Sequence, residues 1–494
     1  MRQNLNKKNG RMSRVLVYKL FIDGSFSDSS DMGTYEIFNP ATGALVDTVA
    51  RGTVEDARRA IDAAEAAVYK QGHASQPANI QRILLATSEL VRQSEAELAR
   101  LLTLEQGKTL TESLGEIRFF AHTLEYYAGV RLRGARVNIS DPSKLAVVEK
   151  EPMGVVAAIV PWNNPILLMG AKVSAALSAG NSIVVKPASS TPIATLKSAE
   201  LFARAGLPPG MLNFVTGSGA TVGEEMVTNK KTYKVSFTGE TETGKRIMRL
   251  ASSQLKRVTL ELGGSNPIII TDDADLDAAV NATAMGRFRN AGQGCMCVKR
   301  AYVFESVAQR FLEKLVARTK TISVGDGMQK ETTMGPVHSS AQRQTVSEQV
   351  DDSVSDGGTV ILGGTEPKDE ALKNGYFYMP TLMTEMDPSS RVVVEEVFGP
   401  ALPIVTVKDM NEAIERSNDS VYGLGAFVWT KDLEKAKAAA RELKAGTVLI
   451  NAPYGAGGWE IEVPMGGYKW SGIGREYGIE GLESYSETKT VIFG

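Results

Sequence analysis

At 494 residues, with 43% apolar residues, the chain is too long for one ordinary core, so two or more lobes of roughly 100–200 residues each are expected. A formal net charge of −2 without long runs of like charge gives no support to a nucleic-acid or anionic-membrane surface, which leaves small-molecule partners. Two cysteines, Cys295 and Cys297, are too few and too close for a disulfide-stapled secreted fold, and the three histidines lack metal-ligand spacing.

The start is basic: Arg2, Lys7, Lys8, Arg11, Arg14 and Lys19 precede the first acid, Asp23, as in a transit peptide or a disordered leader before Met12. No signal-peptide core precedes Phe21 and no apolar run approaches the ~20 residues that span a bilayer, so a soluble cytoplasmic protein is expected, with no metal. From Thr53 to Tyr127, alanine, leucine, glutamate and arginine at helical spacing predict long amphipathic helices. A βαβ rhythm follows, with strands at Val155 to Val160, Ser182 to Lys186, Met211 to Val215 and Lys234 to Phe237. The helices between and after them are Leu167 to Leu177, Ile193 to Ala205, Gly219 to Val227 and Thr243 to Ala251. After Gly263 and Gly264 the rhythm restarts with a strand at Asn266 to Ile270, a helix at Leu276 to Phe288 and a strand at Ala301 to Val303, which predicts a second α/β lobe. Gly134 to Val148 reads as a strand pair around Asp141-Pro142, Thr488 to Phe493 as a β-rich tail, and Tyr454 to Gly458 as a loop.

Three segments carry chemistry. Phe288 to Cys297 ends a helix in glycines and then presents a thiol; turn amides and a helix end would lower its thiolate pKa, although a buried structural cysteine fits the same residues. Glu261 is a single carboxylate in the apolar run Val258 to Gly264, where burial would raise it toward a general base, unless it reaches water at a strand end. Asn163, in Pro161-Trp162-Asn163-Asn164-Pro165, offers an amide at the mouth of a sheet, either as an oxyanion donor or as a helix cap.

With Lys186-Pro187-Ala188, Ser236 to Gly244, Glu395 to Pro400, Pro464 to Gly467 and Ser471 to Glu476 added, these segments follow one order along the chain, and from about Phe21 onward it resembles the aldehyde dehydrogenase superfamily. The resemblance implies two doubly wound parallel-sheet lobes and a small β oligomerisation element. A cofactor-binding domain would span 15–131 and 152–262, a catalytic domain 263–479, and the oligomerisation element 132–151 and 480–494, joining subunits into a homodimer or homotetramer. Cys295 would attack the aldehyde carbon, Asn163 and the Cys295 amide would hold the oxyanion, and Glu261 would activate the water that hydrolyses the thioester, with Lys172 or water as proton relay. NAD(P) would lie against Trp162, Lys186, Ser189, Gly219, Phe237, Gly239, Glu240, Leu262, Glu396 and Phe398. Substrate would meet Asn164, Leu168, Arg289, Gly294, Met296, Tyr454 and Trp459.

Members strict for NAD usually carry glutamate where this chain has Ser189; beside Lys186, that serine implies that NADP is accepted and preferred. Three departures stand out. Glu240 replaces a common serine near the pyrophosphate and is expected to pair with Lys245 or Arg246; Ile479 stands where some members keep a relay acid; Asn164 and Ala171 replace bulkier tunnel residues. A short hydroxyaldehyde such as lactaldehyde or glyceraldehyde is the expected substrate. The alternative is succinate semialdehyde, suggested by Arg289 and the Cys295-Met296-Cys297 pattern, although Ala171 replaces that group's second arginine. Cys297 would line the tunnel or form a reversible disulfide with Cys295. Two readings from other classes are a nucleotide hydrolase, because Gly239 to Arg246 nearly spells a phosphate loop, and a catalytically silent scaffold. Arg246 in place of Ser/Thr opposes the first, and the presence of Cys295, Glu261 and Asn163 opposes the second.

Overall fold

The computed structural model describes residues 17–71, 77–141, 143–453 and 460–494. The basic leader before Val17 and the run from Tyr454 through Trp459 lie outside them.

The buried run Val155–Ile159 shows how the first sheet is built. Val156 and Ala158 join one apolar cluster with Phe120, Leu124 and Met169, while Val155 and Ala157 join another with Ile61, Val222 and Ile247. A strand covered on both faces must be apolar at every position, which explains the continuous rather than alternating pattern. Five strands of this sheet run parallel in the order Arg257–Glu261, Thr232–Thr238, Val155–Ile159, Ser182–Lys186, Leu212–Phe214. Antiparallel edges close the sheet to eight: Gly472–Ile473 on one side, Leu20–Ile22 and Ser25–Ser27 on the other. The helical region expected before it forms Val54–Gln71, Pro77–Gln93, Glu95–Gln106 and Leu110–Gly129. The first packs on one face through Ala57, Ala60, Ile61 and Ala64, and the other three cover the opposite face.

The second sheet has seven strands, parallel except for its Thr359–Leu362 edge, with Val298–Phe304 at the centre between Asn266–Ile270 and Ala401–Val407. A third sheet pairs Ser486–Phe493 with Leu145–Pro152 in register over eight residues, and Leu145–Pro152 with Ala135–Val137, all antiparallel. Among the described residues no helix is long and apolar enough to cross a membrane.

Chain leaving the carboxyl ends of the first sheet's parallel strands supplies Trp162 and Asn163 after Ile159, Gly239 and Glu240 after Thr238, and Leu262 and Gly263 after Glu261. Ligands of open α/β sheets bind at that end.

Candidate active site

Cys295 follows a turn built from left-handed residues, Asn290 (φ 48°), Ala291 (φ 52°) and Gly292 (φ 74°). Gly292 cannot be replaced there, because a Cβ would collide with the Gly399 carbonyl. Beyond the turn, Asn266 Nδ2 donates to the carbonyls of Cys295 (2.7 Å) and Cys297 (2.8 Å), pinning the backbone on both sides of Met296.

The thiol is half-buried between two cavities. One, of about 380 Å³, is lined by Phe119, Asn164, Leu167, Leu168, Gly294 and Tyr477, with Arg118 and Arg289 in the same wall. The other, of about 580 Å³, is lined by Trp162, Asn163, Gly239, Glu240, Glu396 and Phe398, with Leu262 and Gly263 beside them. Cys295 lines both.

Burial, then the carboxylates of Glu396 and Glu261, push the Cys295 thiol up to about 12, with the Lys299 ammonium opposing. The expectation of a lowered thiolate pKa is therefore corrected: a desolvated site with two nearby carboxylates outweighs the turn amides.

Asn163 is buried, and its Nδ2 donates to the Gln293 carbonyl at 3.0 Å, leaving the second N–H of that amide for a ligand. Glu261 ends its strand with both carboxylate oxygens buried and without hydrogen-bond partners among the described residues, and it lines neither cavity. Burial and the neighbouring Glu476 carboxylate raise it well above the ordinary range, while Lys172 and Arg475 oppose. The strand-end glutamate that merely reaches water is not what is found.

Lys172 is wholly buried and donates to Thr238 Oγ1 (2.8 Å) and to Glu476. The acid absent at Ile479 is thus present three residues earlier, where Glu476 also accepts from Ser236 Oγ at 3.0 Å. Ile479 is 39% exposed on the helix Gly478–Glu483 and belongs to no site, which corrects that departure.

Trp162 stacks on His338 (centroids 4.5 Å, 12°) and meets Phe398 edge-on at 5.5 Å. Lys299 lies 3.9 Å from Glu396 Oε1 and 4.7 Å above the Phe398 ring, and donates to the Gly292 and Val397 carbonyls; burial lowers it to about 8. Lys299, His338 and Asn266 belong to no sequence motif, and Glu476 closes the motif Ser471 to Glu476 without any local sign of its pairing with Lys172 across the chain.

Lys186 is buried and donates to the Pro187 carbonyl at 2.9 Å, while exposed Ser189 donates to the Gly217 carbonyl at 2.9 Å. Lys186 ends its strand and packs beside Gly223 of the segment Gly219–Gly223, and Ser189 follows in the loop three residues on. Phe237 is buried under Gly239.

Further expectations change. Met296 is fully buried with its thioether against Gly425 and lines neither cavity; the tight turn closed by Cys297 N–H to Gly294 O (3.2 Å) presents Cys297 there instead. Glu240 does not pair with Lys245 or Arg246, which bond Glu242 (2.7 Å) and Glu224 (2.6 Å); it stands at the N-terminal cap position of the helix Thr241–Ser252 without a side-chain capping bond and lines the larger of the two cavities. That helix begins at Thr241, so the segment resembling a phosphate loop is helical from its third residue. Tyr454 and Trp459 lie outside the described residues. Among those residues no group of three or more His, Cys, Asp or Glu could hold a metal ion.

The aldehyde dehydrogenase family model matches residues 26–491. Betaine aldehyde dehydrogenase of Bacillus subtilis is 42% identical over 478 residues, covering 96% of either chain. The succinate-semialdehyde dehydrogenase [NADP(+)] of Escherichia coli is 38% identical over 486 residues, 98% of this chain and 99% of that one. A crystal structure of betaine aldehyde dehydrogenase from Staphylococcus aureus in complex with NAD+ superposes with a TM-score of 0.93 at 39% identity, over 96% of this chain and 94% of that one.

Proposed function

The chain belongs to the aldehyde dehydrogenase family, and on that premise we propose that it oxidises a small aldehyde bearing a distal carboxylate to the corresponding diacid, with NADP preferred over NAD. The observation that carries this reading is the position of Cys295 at the wall shared by an arginine-containing cavity and a cleft fit for a dinucleotide.

The cleft suits NAD(P): Gly263 gives a close approach where a Cβ would collide with the Glu396 carboxylate, and Glu396 keeps a buried oxygen, Oε1, free for a ribose hydroxyl. Phe398 and Trp162 supply flat apolar walls for a ring, and Ser189 and Lys186 stand where the adenosine ribose would lie. Bound there, the cofactor supplies the hydride acceptor.

The chain's own residues do the remaining work. Cys295 Sγ loses its proton to solvent water and bonds to the aldehyde carbon, and the Cys295 N–H and the second Asn163 N–H hold the oxyanion. Once the carbon is a thioester, Glu261 takes a proton from water, which attacks that carbon and expels the thiolate as the acid forms. Lys172 and Glu476, charged groups whose fields reach Glu261, are the candidates to take that proton onward. Glu261 lies outside both cavities, so its side chain rotates toward the thioester for this step.

Arg289 and Arg118, the latter paired with Glu95 at 3.0 Å, supply the cationic groups in the wall of the substrate cavity. A carboxylate is attracted there; a quaternary ammonium is repelled. A second reading, a short hydroxyaldehyde, is favoured by Asn164, whose Oδ1 is taken by Lys108 at 2.8 Å so that its N–H₂ remains for a substrate hydroxyl. Subunit association through the sheet containing Ser486–Phe493 completes the reading, since both outer strands of that sheet are largely exposed.

Steady-state kinetics with succinate semialdehyde, glutarate semialdehyde, lactaldehyde, propanal and betaine aldehyde test it. The semialdehydes are expected to exceed propanal in kcat/KM, with betaine aldehyde poorest despite the 42% identity to an enzyme named for it. Arg289→Gln should lower semialdehyde kcat/KM by about 10- to 100-fold and leave propanal within about threefold. Equal losses on both, or betaine aldehyde as best substrate, would overturn the assignment.

A further inference from the structure

A buried ion pair stands behind the Asn163–Asn164 elbow, outside both cavities. Lys108 lies in the turn between the helices Glu95–Gln106 and Leu110–Gly129, and Glu116 on the second of them. Their side chains are 2% and 1% exposed and meet at 2.6 Å. Lys108 Nζ also donates to the Asn163 backbone carbonyl (2.6 Å) and to Asn164 Oδ1 (2.8 Å), which uses all three ammonium protons. Glu116 Oε1 accepts from the backbone N–H groups of Ile166 (2.8 Å) and Leu167 (3.0 Å), in the first turn of the helix Pro165–Ser178.

Apart from the pair itself, every one of these bonds lands between Asn163 and Leu167. Bringing two charges into a core is costly, and well-packed apolar groups often serve stability as well. This pair instead spends its capacity on one peptide segment, holding its two halves from opposite sides. The same elbow is tied to the nucleophile's turn. Asn163 O accepts from Asn290 Nδ2 (3.1 Å), Asn290 Oδ1 accepts from Gln106 Nε2 (3.1 Å), and Asn163 Nδ2 donates to Gln293 O (3.0 Å).

We propose that Lys108, held by Glu116, is a positioning residue for the dehydrogenase reaction: it clamps the Asn163 peptide so that the side-chain amide keeps its place opposite Cys295. Because an ammonium only donates, Lys108 also sets the Asn164 amide with its oxygen inward and its N–H₂ toward the substrate cavity. The inference rests on the reading of Asn163 as oxyanion donor. A shift of ~1 Å in such a donor costs on the order of 100-fold in rate.

The test is a double-mutant cycle in the full-length chain, combining Lys108→Met and Glu116→Gln with Asn163→Ala. Burst-phase reduction of NADP reads chemistry, cofactor fluorescence titration reads binding, and thermal melting reads folding. Lys108→Met is expected to lower the burst rate by about 100-fold while cofactor Kd stays within about twofold, and to cost less than about threefold once Asn163 is already alanine. Lys108→Arg, which keeps donors in place, should recover at least about tenfold of the loss, and Glu116→Gln, which keeps the fold if Lys108→Met does not, should show the same non-additivity. Equal losses with and without Asn163, or a fall in burst rate that only tracks the melting temperature, overturn the positioning role. Full activity in Asn163→Ala alone overturns the oxyanion reading, and the inference falls with it.

Discussion

The Lys172 ammonium is bonded to the Glu476 carboxylate in the buried floor near Glu261, with Thr238 and Ser236 completing the set. After burial, Glu476 is the largest cause raising Glu261, so the pair would set the pH at which Glu261 serves as the proposed base. Glu476→Gln removes a negative charge and frees Lys172, and both changes lower the Glu261 pKa. A base with a lower pKa is deprotonated at lower pH, so the acid limb of the kcat–pH profile should move to lower pH. An unmoved or rising limb in Glu476→Gln would show that Glu261 does not set that limb.

The resting thiol should be a poor nucleophile. With Cys295 pushed up to about 12 by burial, Glu396 and Glu261, inactivation of the cofactor-free enzyme by iodoacetamide should accelerate about tenfold per pH unit from 7 to 9.5 without a plateau. Glu396→Gln takes away one of the opposing charges and should raise the rate at pH 7.5. A plateau centred below pH 8 in the unmodified chain would contradict this electrostatic picture.

The proposed preference for NADP rests on an exposed serine, Ser189. Ser189→Glu places a carboxylate where a 2′-phosphate would approach, and should raise KM for NADP by at least about tenfold while leaving NAD within about threefold. If both cofactors respond alike, Ser189 has no part in discrimination.

The elements legible from sequence are those whose evidence is local. The run Val155–Ile159 is apolar at every position because both faces are covered, and the buried Ile268, Ile269 and Ile270 follow the same pattern. Cys295, Glu261 and Asn163 stand out as candidates for a related reason: Glu261 ends a strand, the other two lie in short loops between elements, and their flanking glycines or prolines are neighbours in the chain. What the sequence hid depends on distance. Lys108 and Asn163 meet across 55 residues and Lys172 and Glu476 across 304, and no spacing rule links them. Met296 was misplaced for the opposite reason. Within one tight turn adjacent side chains diverge, so Cys297 reaches the cavity while Met296 enters the core. Glu240 was misassigned because Lys245 and Arg246, one turn away on a helix, find Glu242 and Glu224 closer to hand.

The left-handed turn from Asn290 to Gly292 carries a consequence for biogenesis. Its conformation is held from both directions along the chain: by Gln106 and Glu112 upstream, and by the backbone of Val397 and Gly399 downstream, through Lys299 and the close approach at Gly292. Three residues at positive φ do not persist in a free peptide. A chain still being synthesised therefore has no ordered nucleophile until the ribosome has passed the second lobe's central strands, and the reactive sulfur is assembled only after the structure that shelters it.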